Sequence, residues 1–256
     1  MSGPRVLVAG GVDPSGGAGV TADVRMAWAL GVHPTVAVTC LTVQSRHRFH
    51  SLEPVAGASL AAALTAVAED GPVHAVKIGM AGSGDLLRLL VAHCTTAWPA
   101  APLVVDPVLG TTSGQTVAGA ELLEAYRELL PHIALLTPNH PELARLAPGG
   151  VDELRGMGAR AVLLKDGHGS AAVVEDRLWT ARGSVTFRHP RLDCGAVHGT
   201  GCALATAVAA RLARGGDLEA SCRGAVADVA ASLRDTPRSA DGAPAALHIT
   251  ASRTQG

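Results

Sequence analysis

The sequence predicts an α/β fold, a layered sandwich in which helices cover both faces of a mainly parallel β-sheet. Short runs of Val, Ile, Leu and Ala alternate along the chain with Ala/Leu-rich amphipathic stretches. The runs are nearly continuous in apolar residues, which indicates strands that are covered on both faces. Strands that alternate with helices favour right-handed crossovers within one sheet. The six predicted strands span residues 6–9, 35–42, 75–78, 103–106, 134–137 and 161–164.

Predicted helices fill the gaps between these strands and close the fold after them. Their periodicity places them at residues 20–30, 60–68, 85–93, 119–130, 151–157, 201–214 and 218–233. Two shorter strands are predicted around a turn at one sheet edge, at residues 171–175 and 184–188.

The length and the ending of the chain predict its domain organisation. Residues 1–235 are expected to form one domain, because the chain is long enough to bury one full core. Beyond Asp235 the composition turns to Pro, Gly, Ser and Thr, which predicts a loosely ordered tail over residues 236–256.

Charge and composition argue against several classes of partner. The formal net charge of −1 gives no reason to expect nucleic acid or an anionic membrane as a partner. The short basic segment Arg46-His47-Arg48 is read most simply as a solvated loop. No secretory leader is expected at the start, and no apolar run is long enough to span a bilayer. The five cysteines are scattered without a C-x-x-C pair, which argues against disulfides and zinc and favours a cytoplasmic location.

The chemically informative segments all follow predicted strands. In open α/β sheets, ligands bind beyond the carboxyl ends of the strands. We therefore expect these segments to meet at one edge of the sheet; they span residues 10–19, 44–50, 79–80, 106–114, 137–142 and 166–169.

A further motif, His198-Gly199-Thr200-Gly201-Cys202, opens a predicted helix late in the chain. Without a Cβ to block an approach, successive backbone N–H groups can converge on an anion, and the helix dipole favours negative charge there. An ordinary glycine turn before a helix is the alternative. Cys202 falls in the first helical turn, where thiolates are stabilised, so it is either a proton acceptor or a small packing residue.

The glycine-rich segment 10–19 follows the first strand and precedes a helix. It matches neither G-x-G-x-x-G nor the Walker A pattern, since no Gly-Lys-Ser/Thr closes it. The segment suits the close approach of a flat ligand to the backbone, with Asp23 one helical turn further on. A purely structural turn is an equal alternative.

Asn139 and Glu142 stand three residues apart at a predicted helix start. They can face one site and offer an amide and a carboxylate to hydrated Mg²⁺. The alternative is a capping box, because Asn caps helices well and Glu at the third position closes such a box.

Together these segments resemble the hydroxymethylpyrimidine/phosphomethylpyrimidine kinases of thiamine biosynthesis, within the ribokinase-like superfamily. The resemblance runs from residue 6 to about residue 214, and its most specific part is the run Asp-Pro-Ser-Gly-Gly-Ala-Gly at 13–19. Further matching segments are 22–23, 41–44, 77–80, 106–108, 137–139 with Glu142, and 198–202. The resemblance implies a three-layer α/β/α sandwich, the use of ATP and Mg²⁺, and a homo-oligomer, with a dimer favoured.

The resemblance also implies roles for single residues. Cys202 is implied as the catalytic base for the substrate hydroxymethyl group, in a family that phosphorylates first the alcohol and then its monophosphate. The implied anion hole is Gly199, Thr200, Gly201 and Cys202. The residues implied to bind the aminopyrimidine are Gln44 and Met80, with Gly11, Val43 and Asp23 beside them. Those implied to bind nucleotide are Asn139, Lys165, Gly167 and His168, and those implied to hold the metal are Glu142 and Asp106.

The chain departs from the family pattern in four places, one of which is a shorter segment between Glu142 and Ala161. The loop after Asp-Pro-Val usually carries a lysine, which residues 109–114 lack. Ala196-Val197 precedes the late glycine motif where Asn-Thr is usual, and Ser45-Arg46-His47 follows Gln44 where Asn-Thr is typical. Two alternatives therefore stand beside the pyrimidine kinase: a pyridoxine or pyridoxal kinase, and a catalytically weakened pyrimidine-binding protein.

Overall fold

A computed structural model describes residues 3–110, 117–167, 169 and 171–249. Its centre is a nine-stranded sheet in the order β3-β2-β1-β4-β5-β6-β7-β8-β9. The strands are β1 Arg5–Val12, β2 His33–Gln44, β3 Phe49–Pro54, β4 Ala75–Ile78, β5 Leu103–Val105, β6 Leu135–Leu136, β7 Val162–Leu164, β8 Val173–Thr180 and β9 Gly183–Pro190. Neighbours from β2 to β7 are parallel, whereas the β2–β3, β7–β8 and β8–β9 pairs are antiparallel.

Helices cover both faces of this sheet. They are α1 Gly19–Ala29, α2 Gly57–Glu69, α3 Gly84–Ala97, α4 Ala120–Leu129, α5 His140–Leu146, α6 Val151–Gly156, α7 Thr200–Ala213 and α8 Leu218–Asp235, with a 3₁₀ turn at Leu130–His132. Strand β1 shows the layering, since Leu7 joins a core with α2, α3 and α4 while Val6 and Val8 join a core with α1, α7 and α8. The predicted three-layer α/β/α sandwich with a mainly parallel sheet is confirmed.

Strand β3 escaped the sequence prediction, and of helix α5 only the start at residues 139–142 was expected. Strand β3 is polar, half exposed and ends at Pro54, so its composition is that of a loop, and only its antiparallel pairing with β2 makes it a strand. Helix α5 has only seven residues, too few for amphipathic periodicity to stand out. In the described ranges, no helix has the length and apolar character needed to cross a bilayer.

Of the predicted tail, residues 236–249 are described, and they pack against the rest of the chain. A second, two-stranded sheet pairs β10 (Val197–His198) with β11 (Ala245–Ala246) in parallel. Leu247 is fully buried and Thr236 is nearly so. The composition of residues 236–249 indicates a weak local preference for helix or strand. The segment is ordered instead by the pairing of β11 with β10 and by the burial of Leu247. Residues 250–256 lie outside the described residues.

Candidate active site

The predicted site segments that the structure describes lie, as expected, beyond the carboxyl ends of the parallel strands. In the glycine-rich loop, the Asp13 carboxylate accepts hydrogen bonds from the Ser15 N–H at 2.9 Å, the Ser15 hydroxyl at 2.8 Å and the Ala18 N–H at 2.9 Å. The Nε2 atom of His198 lies 3.1 Å from the same carboxylate. Burial opposes the charge, but hydrogen bonds from His198, Ser15 and Ala18 hold the pKa of Asp13 well below its usual range. Asp13 thus ties the early glycine loop to the late one.

The two glycine loops touch, and glycine is required where they do. Gly199 has φ +88°, and a Cβ there would overlap the carbonyl oxygen of Gly17. Gly19 has φ +58°, and a Cβ there would overlap the carbonyl oxygen of Gly11. Both positions combine a left-handed backbone with close contact. A larger residue at position 199 would separate the two loops, and one at position 19 would push the early loop away from the end of β1.

Helix α7 begins with backbone N–H groups that are available to a ligand. Its N-cap is Gly199, which offers no side-chain acceptor, and the first turn carries no acidic side chain. Gly199, Thr200, Gly201 and Cys202 each keep part of their surface open. The free N–H groups and the helix dipole suit an anion, so the geometry supports the predicted anion hole.

The surroundings of Cys202 correct one sequence argument. The start of a helix was expected to stabilise the thiolate, but burial raises the pKa of the Cys202 thiol to about 11. The nearby Lys77 ammonium opposes that rise, whereas the charges of Asp23 and Asp106 add to it. Desolvation outweighs the helix dipole because the thiol lies against a packed, charge-bearing layer.

Asp106, Glu142 and Lys165 form a charged cluster that faces this loop. The Lys165 Nζ lies 2.5 Å from Asp106 Oδ1 and 3.9 Å from Glu142 Oε2, and the Thr137 hydroxyl donates to Asp106 Oδ1 at 3.3 Å. Burial, helped by the charge of Asp106 and opposed by that of Lys165, raises the pKa of Glu142 to about 7. Two carboxylates share one ammonium, so the cluster carries more negative than positive charge when Glu142 ionises.

The capping interpretation of Asn139 and Glu142 is confirmed. The Asn139 Oδ1 accepts from the Glu142 N–H at 2.8 Å, and the Glu142 Oε2 accepts from the Asn139 N–H at 2.8 Å. Among the described residues, no three His, Cys, Asp or Glu side chains lie close enough to form a metal site.

Beneath the site, Asp23 is sealed from solvent. Its Oδ2 accepts from the Lys77 ammonium at 2.7 Å and its Oδ1 accepts from the Thr206 hydroxyl at 2.7 Å. The exposed fractions of the Lys77 and Asp23 side chains are 1% and 0%. Both carboxylate oxygens are thus occupied, and Asp23 supports the site from below rather than facing its surface. The sequence signal for this pair was Lys77, a single lysine within the otherwise apolar strand β4. That signal did not show which residue would pair with it.

The residues implied to bind the pyrimidine are only partly gathered. Gly11 lies against Met80, since a Cβ on Gly11 would stand 3.5 Å from Met80 Sδ. Gln44 lines an open cleft of about 350 Å³ whose other lining residues are Pro14, Ser15, Ser45, Arg46 and His47. Val43 is 59% exposed on the outer face of β2.

The nucleotide side is described in part. Lys165 follows β7 and bridges to Asn139, its N–H donating to the Pro138 carbonyl at 2.9 Å. Gly167 is exposed. His168 and residues 111–116, which include most of the loop that lacks the usual lysine, lie outside the described residues.

One clamp at this loop escaped the sequence analysis. Arg145 donates to the carbonyl of Leu109 at 2.7 Å and to that of Ala118 at 2.7 Å, so it joins the two ends of the loop. The sequence predicted only the start of α5, and no pattern in it indicated that Arg145 contacts this loop.

Comparison with known proteins agrees with the sequence resemblance. The chain is 35% identical over 218 residues to the hydroxymethylpyrimidine/phosphomethylpyrimidine kinase of Salmonella typhimurium, covering 80% of this chain and 82% of that protein. It is 36% identical over 231 residues to a thiamine biosynthesis multifunctional protein of Corynebacterium glutamicum. That match covers 85% of this chain but only 30% of that much longer relative.

The fold is shared with a pyridoxal kinase from Staphylococcus aureus, solved in complex with AMP-PCP and pyridoxal. The TM-score is 0.89 at 23% identity, over 100% of this chain and 96% of that one, a likeness that concerns the fold alone. A family model described as phosphomethylpyrimidine kinase matches residues 13–245, which include the early glycine loop, the charged cluster and the late glycine loop. The chain belongs to the phosphomethylpyrimidine kinase family.

Proposed function

We propose that this chain is an ATP- and Mg²⁺-dependent kinase that phosphorylates 4-amino-5-hydroxymethyl-2-methylpyrimidine and then its monophosphate. One observation carries the proposal beyond family membership. A Cβ on Gly201 would stand 3.3 Å from Lys165 Nζ and 3.4 Å from Asp106 Oδ2. The start of α7 and the charged cluster therefore lie within reach of a single phosphoryl group.

The chain's own groups suit the charge that moves during phosphoryl transfer. The Lys165 ammonium lies next to Gly201 at the start of α7, so the ammonium and the N–H groups of Gly199, Thr200 and Gly201 can together stabilise the transferring phosphoryl oxygens. Such positioning and charge stabilisation provide most of the catalysis in phosphoryl transfer.

Cys202 is the proposed acceptor for the proton of the substrate hydroxymethyl group. With its pKa raised to about 11, the thiol is mostly protonated near neutral pH, but its thiolate is a correspondingly stronger base. Lys77 beneath it favours the thiolate. The rate with a saturating nucleotide should therefore rise with pH up to the pKa of the thiol.

The carboxylates of Asp106 and Glu142 fit a hydrated Mg²⁺. Mg²⁺ is usually held by one or two carboxylates together with waters and substrate phosphates, and it keeps much of its hydration shell. The excess negative charge around Lys165, together with the raised pKa of Glu142, marks a place where a divalent cation would be stabilised. When bound, the ion would neutralise ATP phosphate charge.

The pyrimidine ring is proposed to bind in the other half of the site, near the ends of β1, β2 and β4. Gln44 can pair with the aminopyrimidine edge, while Met80 and Gly11 offer a flat, apolar contact beside it. Val43 borders this region from an exposed position, and Asp23 acts only through the layer beneath. A homo-oligomer, favoured as a dimer, remains a prediction.

The test is product analysis by mass spectrometry after incubation with ATP, Mg²⁺ and the hydroxymethylpyrimidine, with pyridoxine in a parallel reaction. We expect a monophosphate and then a diphosphate of the pyrimidine. The control is Cys202→Ala, for which we expect turnover to fall by about 10²- to 10⁴-fold, the usual contribution of a general base, while pyrimidine affinity is kept.

Each departure from that result points to a different conclusion. Preference for pyridoxine would support the alternative kinase, whose fold this chain shares. Tight pyrimidine binding without turnover would support the weakened binding protein. Near wild-type turnover in Cys202→Ala would remove Cys202 as the base.

A further inference from the structure

The last described segment of the chain, residues 236–249 (here called the C-terminal segment), supports the late glycine loop. Strand β11 of this segment pairs in parallel with β10. The Ala245 N–H donates to the Ala196 carbonyl at 2.9 Å, and the Leu247 N–H donates to the His198 carbonyl at 3.3 Å. Because β10 runs directly into the start of α7, this pairing holds the backbone that enters the anion hole.

The C-terminal segment is also anchored beneath the early glycine loop. Leu247 is fully buried in the core that includes α1 and α7. Arg25 of α1 donates to the Gly16 carbonyl at 2.9 Å and approaches the Leu247 carbonyl at 3.5 Å. The position of a Cβ on Gly17 lies 3.6 Å from the Cβ of Ala246. Both glycine loops therefore rest on this segment.

The other end of the C-terminal segment contacts the turn between β2 and β3. Arg46 donates to Asp241 Oδ2 at 2.5 Å and to the Ser239 hydroxyl at 3.1 Å, and the His47 Nε2 lies 3.8 Å from the Asp241 carboxylate. Hydrogen bonds from the Ser239 hydroxyl and the Ala243 N–H lower the pKa of Asp241 to about 2. The carboxylate is thus charged at every working pH.

This turn is part of the substrate half of the site. Gln44 ends β2, and residues 45–47 continue directly from it into the wall of the open cleft. A side chain at the end of a strand depends for its position on the turn that follows. The contact between Asp241 and Arg46 therefore acts on the placement of Gln44.

We propose that the C-terminal segment positions both halves of the active site, holding the Gln44 turn through Asp241 and Arg46 and the anion hole through β11. Asp241 and Arg46 are then positioning residues, and the C-terminal segment supports the catalytic groups without touching the substrate. This inference rests on the proposed function for its kinetic readout. It assigns a partner within the same chain to Ser45-Arg46-His47, the segment that departs from the family pattern after Gln44.

The first experiment compares Arg46→Gln with Arg48→Gln, a matched loss of charge from an exposed arginine on the same turn. We expect Arg46→Gln to raise the KM for the hydroxymethylpyrimidine about fivefold with little change in kcat, because the turn loses the ion pair that holds it. Arg48→Gln should leave both constants unchanged. Arg46→Lys should recover most of the KM, since it retains the charge.

A double substitution tests whether the two residues act together. Arg46→Gln combined with Asp241→Asn should raise the KM no further than either change alone, because both remove the same contact. Additive effects, or equal KM values for Arg46→Gln and Arg48→Gln, would overturn the role of this pair.

The β11 half is tested by Ala245→Pro, which removes the N–H that pairs with Ala196, against Ala245→Gly, which keeps it. We expect Ala245→Pro to lower kcat at least tenfold at nearly constant pyrimidine KM, because it shifts the anion hole. Equal kcat values for the two variants would contradict this half of the proposal.

Hydrogen–deuterium exchange separates this inference from the proposed function. If the wild type does not phosphorylate the pyrimidine, the proposed function fails. The exchange rates still test whether the C-terminal segment positions the two halves of the site. Faster exchange of residues 42–48 in Arg46→Gln, and of residues 197–204 in Ala245→Pro, is expected, with neither change in the control variants. Unchanged exchange in both would refute the positioning role.

Discussion

Two lysine–aspartate pairs lie at the carboxyl ends of parallel strands, and they differ in their access to solvent. Lys77 and Asp23 meet at 2.7 Å, with 1% and 0% of their side chains exposed. Lys165 and Asp106 meet at 2.5 Å, with 12% and 3% exposed. The first pair is completed by the Thr206 hydroxyl, whereas the second is shared with Glu142.

This difference in solvent access suggests a structural role for the first pair and a chemical role for the second. In the sealed pair, both oxygens of Asp23 accept hydrogen bonds from protein donors and neither side chain is open to a ligand, so the pair fixes the layer on which Cys202 rests. A pair with excess negative charge and an open side can exchange one partner for an incoming phosphate or cation. The same two residue types therefore suit a supporting role in one place and the proposed catalytic role in the other.

The largest expected effect breaks the sealed pair. Lys77→Met leaves the Asp23 carboxylate buried without a counter-ion, so we expect the free energy of unfolding to fall by about 3–5 kcal/mol. Chemical denaturation with urea measures the change. Lys77→Met combined with Asp23→Leu should recover much of the loss, because it removes the uncompensated charge. A double variant as unstable as the single one would show that the ion pair itself, rather than the orphaned charge, is required.

The next effect breaks the open pair. Lys165→Met should lower kcat by about 10²- to 10³-fold, the usual consequence of losing one group that stabilises transition-state charge. Its loss of unfolding free energy should be smaller than that of Lys77→Met, since solvent and a protonated Glu142 can relieve Asp106. Steady-state kinetics and urea denaturation on both variants test the contrast. The contrast between the two pairs would be contradicted if Lys165→Met were both less active and less stable than Lys77→Met.

The smallest effect sharpens the electrostatic account of the open pair. The pKa of Glu142 is raised from 4.5 to about 7, so between these pH values the native carboxyl binds a proton that the unfolded chain has lost. This contribution makes the wild type less stable as pH rises through that window. Glu142→Gln keeps the capping box, because Gln also closes it, but has no charge to titrate.

The stability of Glu142→Gln relative to the wild type should therefore increase from pH 4.5 to 7, as measured by urea denaturation at several pH values. Glu142→Ala, which loses the box at every pH, is the control for the cap. A difference between Glu142→Gln and the wild type that does not vary with pH would contradict the raised pKa.

The architecture was largely readable from local pattern. Continuous apolar runs located the six central strands to within a few residues. The Gly-Thr-Gly motif at residues 199–201 located the start of α7. The capping box of Asn139 and Glu142 was also predictable, because its three-residue spacing is a local property of the chain. These features depend on residues that are close in sequence.

The pairing of charges was not readable in the same way. Asp23 was expected beside the substrate, but Lys77, 54 residues away, seals it in the core. Cys202 was expected to carry a stabilised thiolate, yet burial against residues from other strands raises its pKa. The packed course of residues 236–249 depends on β10, about 48 residues earlier, and no local composition reports that contact.

The amino-acid sequence by itself determined the order of strands and helices, the glycine loops and the family resemblance, because hydrophobic period and backbone freedom are encoded locally. Only the tertiary structure decided which carboxylate is sealed, which one faces the site, how strongly Cys202 holds its proton, and where residues 236–249 pack. Desolvation and Coulomb interactions depend on distances between residues that are remote in sequence, and folding alone sets those distances.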